Sequence, residues 1–113
     1  MAKKPKRSKM GNRRTFIDGR WFDSKAEANY YLHLITLFRA GKIRSLVYQP
    51  TYSIPTGVYT ADFFYVVVDT LEEVICDVKG VATEPCKLRL KQMANLGKLV
   101  TLITKKSHPQ LWK

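Results

Sequence analysis

A chain of 113 residues with 45% hydrophobic content holds one core rather than two, and is too apolar for wholesale disorder. Its 20 Lys and Arg against 9 Asp and Glu give a formal net charge of +11, which points to a polyanionic partner, nucleic acid first. No apolar run nears the roughly 18 residues of a membrane span, no apolar segment follows the basic N-terminus as in a secretory signal, and the glycines form no phosphate-cradling loop for a nucleotide cofactor.

In chain order, residues 1–14 read as a flexible basic arm. Lys3, Lys4, Lys6, Arg7, Lys9, Arg13 and Arg14 lie there without an acid between them, and residues 15–113 form the single folded domain. The alternative for the arm is a solubilising tail. "TFIDGRWF", residues 15–22, reads as a short hairpin, because Asp18-Gly19 suits a type I′ turn. Ser24 to about Ala40 reads as a helix, with Ser24 and Glu27 as a capping box and Gly41 as the left-handed terminator.

The hydrophobic period then drops to two. Arg44–Ile54, Val58–Val68 and Glu73–Lys79 read as three antiparallel strands, with an irregularity at Pro50. Thr83, Glu84 and Pro85 open a second helix that Gly97 ends, and Lys98–Thr104 is a last strand, parallel to the third through a right-handed crossover. The expected fold is α/β: a mixed sheet flanked by two helices, preceded by the hairpin. Trp21 and Trp112 read as packing residues. Cys76 and Cys86 lack CxxC spacing, and His33 and His108 stand apart, so the thiols are expected reduced in a cytoplasmic protein.

Charges intrude on the strands. In "YTADFFYV", residues 59–66, Asp62 is the lone carboxylate, and in "VICDVKGV", residues 74–81, Asp77 and Lys79 share one strand face. A tight turn at 69–72 brings the two runs together, and Glu27 stands beside the apolar stripe of the first helix, near Tyr30, Tyr31 and Leu34. Each has a bland explanation: a cap for Glu27, a wet strand face for Asp62, a surface pair for Asp77 and Lys79. Together, three carboxylates repel one another unless a divalent cation sits among them. Mg²⁺, for which Mn²⁺ can substitute, takes such oxygens plus a backbone carbonyl, here that of Val78. Lys79 could then stabilise charge at a scissile phosphate.

This arrangement resembles the PD-(D/E)xK nuclease superfamily, whose pattern is an acid on one strand, acid-x-Lys on the next and a glutamate on the preceding helix. Asp62, Asp77-Val78-Lys79 and Glu27 match those positions. Ala61 stands where the proline of the pattern would be, and the second acid is Asp77 rather than Glu. "YTADF" and "ICDVKG" resemble most the small phage-encoded endonucleases of the Holliday-junction-resolving type. The resemblance covers roughly residues 22–104 and implies a restriction-endonuclease-like core. It also implies cleavage of DNA phosphodiesters, preferentially in branched DNA, by a homodimer in an infected or prophage-carrying bacterium.

Lys87 and Lys91 on the second helix are further candidates for backbone contacts, and Gln49 for a place beside the site. Two rivals remain open. One is a basic nucleic-acid-binding module without catalysis; the other is a nuclease subunit that cuts only with a partner protein.

Overall fold

In the computed structural model, which describes residues 14–80 and 84–113, Asp18 and Gly19 both take positive φ, 55° and 78°. The chain therefore reverses between β1 (Thr15–Ile17) and β2 (Arg20–Phe22), which pair antiparallel. Ser24 caps α1 (Lys25–Arg39) by accepting the Glu27 amide at 3.1 Å. At the other end Gly41, at φ 73°, donates to the Phe38 carbonyl, and Lys42 donates to that of Leu37. This double closure is a Schellman motif, and it satisfies the last helical carbonyls.

The expected three long strands are five shorter ones. The first divides into β3 (Ile43–Tyr48) and β4 (Thr51–Ile54), and the second into β5 (Gly57–Thr60) and β6 (Phe63–Val67). The break after Tyr48 has a local cause. Gln49 sits at φ 55° and is followed by Pro50, which has no amide to donate. Opposite it, Ala61 and Asp62 interrupt the second run. β4 and β5 form a separate two-stranded ribbon. β7 (Glu73–Val78) follows, then α2 (Glu84–Asn95) and β8 (Val100–Ile103). The expected Thr83 cap and the residues of the arm up to Arg13 lie outside the described residues.

The main sheet runs β3-β6-β7-β8, antiparallel except for the parallel pair β7 and β8. It is thus the expected mixed sheet. α2 also ends in a Schellman closure at Gly97, φ 78°. A short 3-10 helix, Pro109–Trp112, follows β8; hydrophobic period alone did not mark it.

Alternation along the strands divides the core in two. Phe63, Cys76 and Val78 join Phe22, Tyr30, Tyr31 and Leu34 under α1. Phe64 and Ile75 face the other way, toward Tyr59 of the ribbon and Met93 of α2. Phe22, Phe63 and Met93 are wholly buried, and truncating an aromatic of this kind costs about 3–5 kcal/mol. Trp112 packs on the α1 side, and Trp21 lies half-buried with its ring 4.7 Å from that of Phe16. Among the described residues, no helix is long and apolar enough to cross a membrane.

Candidate active site

Asp62 sits not inside a strand but in the break between β5 and β6. There its backbone keeps the sheet pattern, its amide meeting the Cys76 carbonyl at 3.2 Å and its carbonyl accepting the Gln49 amide at 2.9 Å. The β6–β7 register, Phe63 to Cys76, sets Asp62 beside Asp77. Two reciprocal bonds lock them. Asp77 Oδ1 accepts the Asp62 amide at 2.8 Å, and Asp62 Oδ2 accepts the Val78 amide at 2.7 Å.

Asp77 is 1% exposed, which removes the surface-pair explanation for it. Its second oxygen, Oδ2, accepts the hydroxyl of Tyr59 on β5. Protein donors therefore reach both oxygens of this carboxylate. A buried charge tolerates its burial best when hydrogen bonded in this way.

Glu27 enters from α1 and is 4% exposed. Its amide joins the Ser24 cap, but Oε1 is buried with no hydrogen-bond partner. Burial, followed by the negative charges of Asp62 and Asp23, pushes its carboxyl up to about 8, against a backbone hydrogen bond at Asp23 that acts the other way. Asp62 is raised to about 7, by burial first and the charge of Asp77 second; the Val78 amide and the Lys79 ammonium oppose the rise. The three carboxylates thus share one field, from opposite faces of the sheet, at the point where its strands divide. Lys79 is half-buried beside them, its amide held by the Ile103 carbonyl at 2.9 Å.

Tyr48 borders the cluster. Its phenol donates to the Trp21 carbonyl at 2.9 Å, and its pKa rises to about 12 through burial and then the charges of Glu27, Asp23 and Asp62. Cys76, between the acids on the α1 face, is likewise pushed to about 12 by burial, so it is no nucleophile at neutral pH.

The fold thus brings Glu27, Asp62, Asp77 and Lys79 together, with the Gln49 backbone touching Asp62. Lys87, Arg89 and Lys91 are exposed on α2. Arg14, the last residue of the expected arm, lies 3.6 Å from Asp23 Oδ1. Sequence reasoning passed over Tyr59 and Asp23. Tyr59 opens the very run that carries Asp62, three residues upstream, and Asp23 directly precedes the helix cap. Among the described residues no group of three or more His, Cys, Asp and Glu side chains is gathered closely enough to hold a metal ion.

The fold and cluster define an α/β domain with a mixed sheet and a buried acidic site where the strands divide. The chain belongs to the family described as protein of unknown function DUF1064, whose pattern matches residues 7–105. No curated protein matches it.

Proposed function

We propose that the chain is a Mg²⁺-dependent DNA endonuclease with a restriction-endonuclease-like core, related to the PD-(D/E)xK superfamily. The observation that carries this reading is a pair of buried carboxylates, Glu27 and Asp77, whose charges act with that of half-buried Asp62 near Lys79, with Glu27 Oε1 left without a protein donor. A buried oxygen without a partner is uncommon, and an acid so perturbed marks a candidate functional site. The donors are all hard oxygens, the set that Mg²⁺ and Mn²⁺ prefer. Glu27 and Asp62 would hold the cation, with Asp77 and the Val78 carbonyl as further donors. When bound, the cation supplies charge neutralisation at the phosphate and a more acidic water.

The chain's own residues do the rest. Glu27 and Asp62, with pKa values raised to about 8 and 7, hold protons near neutral pH and would give them up on holding a cation. Lys79, whose charge acts on Asp62, offers positive charge to the phosphate as negative charge develops on its oxygens. The basic arm, with Lys87 and Lys91, draws in the DNA backbone and carries no base readout. Branched DNA, cut by a homodimer with one site per strand, is the substrate we favour on the resemblance in "YTADF" and "ICDVKG".

A second reading, a nucleic-acid-binding module without catalysis, draws on Asp77, whose oxygens are both engaged inside the protein. Incubating the protein with linear, nicked and four-way DNA, with and without Mg²⁺, separates the two. Mg²⁺-dependent cleavage supports the nuclease. Binding of all three without cleavage under any divalent cation supports the module.

A further inference from the structure

Tyr59 has no role in the pattern that singles out Glu27, Asp62, Asp77 and Lys79. Its ring is 4% exposed, packed on the α2 side among Ile54, Ala61, Ile75 and Met93. A phenol buried that deeply needs an acceptor, and the one it takes is a carboxylate oxygen of the candidate site. We propose that Tyr59 is a positioning residue: its hydroxyl fixes the Asp77 carboxylate, and through Asp77 the turn of backbone that carries Asp62. The proposal rests on the nuclease reading for its catalytic consequence, but its structural half stands apart from it.

The bonds form a chain of dependence. Tyr59 holds Asp77 Oδ2, and Asp77 Oδ1 holds the Asp62 amide at 2.8 Å. Asp62 Oδ2 in turn holds the Val78 amide at 2.7 Å, one residue beyond Asp77. Asp77 cannot rotate without breaking both of its bonds, and the Asp62 amide, in the break between strands, is shared between Asp77 Oδ1 at 2.8 Å and the Cys76 carbonyl at 3.2 Å. Tyr59 is the anchor outside this loop.

The anchor has its own support. It sits on the β4–β5 ribbon, paired with Tyr52 and separate from the main sheet. The ribbon tip is tied to α2 by the Thr56 hydroxyl, which donates to Gln92 Oε1 at 2.8 Å. The ribbon thus offers the Tyr59 hydroxyl to the site, as outer residues orient the ligands of a metal centre.

Tyr59→Phe removes that hydroxyl and little else. In the cation-free protein, hydrogen exchange read by NMR should show the Asp62 amide losing protection at least about tenfold, with α1 amides unchanged. Loss of an outer partner of this kind typically costs about 10–100-fold in affinity or activity. The variant should therefore need more Mn²⁺ for half-saturation, measured as the loss of the free-ion electron resonance signal. Its cleavage rate should fall in kcat with KM for DNA unchanged. In an Asp77→Asn background the same substitution should add no further loss of Mn²⁺ affinity.

Unchanged Asp62 protection overturns the proposal, whether or not the protein cuts DNA. Changed protection with no DNA cleavage by wild type overturns the nuclease reading and leaves the brace standing. Should Tyr59→Phe fail to fold, Asp77→Asn carries the test: it should shift the Tyr59 ring resonances and loosen the Asp62 amide, and unmoved resonances would overturn the proposal.

Discussion

Glu27 and Asp77 are both carboxylates, both almost fully buried and both within one cluster, yet they stand on opposite faces of the sheet in opposite states. On the ribbon side, Asp77 has a donor for each oxygen. On the α1 side, Glu27 has an oxygen that nothing in the protein reaches. A satisfied buried acid holds structure together; an unsatisfied one carries a cost of about 1–3 kcal/mol, which a bound ligand would offset. The difference assigns the two faces different work. On the proposed reading, the Asp77 face builds the frame and the Glu27 face would meet the cation.

The sharpest way to break this comparison is through cleavage. Asp62→Asn and Lys79→Ala should each lower the rate at least about a hundredfold, on the scale of losing one preorganised electrostatic partner. Asp77→Asn should also stop cleavage while leaving DNA binding equal or tighter, since a negative charge beside phosphate is gone. Single-turnover cleavage with a parallel binding titration checks all three.

Stability should separate the two acids by sign. Glu27→Gln removes an uncompensated buried charge and should raise the melting temperature of the cation-free protein at pH 8. Asp77→Ala strands the Tyr59 hydroxyl, at about 1–3 kcal/mol, and takes from the Asp62 amide the closer of its two acceptors, so it should lower it. Each kcal/mol corresponds to about 4–8 °C in a domain of this class. Thermal melts that shift both variants in one direction would erase the distinction.

The frame was largely legible in the residues. Asp18-Gly19 announced the hairpin, Ser24 and Gly41 bounded α1, and the period of two found the sheet. The division of the long strands was not, because alternation runs on through Gln49-Pro50 and Ala61-Asp62, and a left-handed Gln49 leaves no mark in hydrophobic pattern. That break is what sets Asp62 at a junction. The identity of the acids could be read from their intrusion into apolar runs. Their hydrogen bonding could not: the Tyr59–Asp77 pairing depends on the ribbon folding away from the main sheet, which no local pattern encodes.

The pH profile follows from the same cluster. Glu27 and Asp62 have folded pKa values raised to about 8 and 7, above their ordinary 4.5 and 3.8. Between these limits the folded state holds protons that the unfolded chain has lost. Their contribution to stability without a cation is therefore fully present below about pH 4 and is lost as pH rises through 7 and 8. Mn²⁺ should flatten the decline, and Glu27→Gln should remove its upper part. Urea titrations across this range give the slope.

The smallest effect belongs to the arm. Deleting residues 1–13 should weaken DNA binding and flatten its salt dependence, by at most about 0.9 in logarithmic slope for each phosphate that the arm neutralises. Cation binding at Glu27 and Asp62 should be unchanged.

The central claim, that the unpartnered face of the cluster meets a divalent cation, is tested most directly by titrating Mn²⁺ into wild type and Glu27→Gln with the free ion followed by electron resonance. The account predicts one saturable site or a tight pair in wild type at pH 8, weakened at least about tenfold by Glu27→Gln, with melting temperature rising by mass action in wild type alone. Binding that is absent from the wild-type protein, or equally strong in Glu27→Gln, would contradict it.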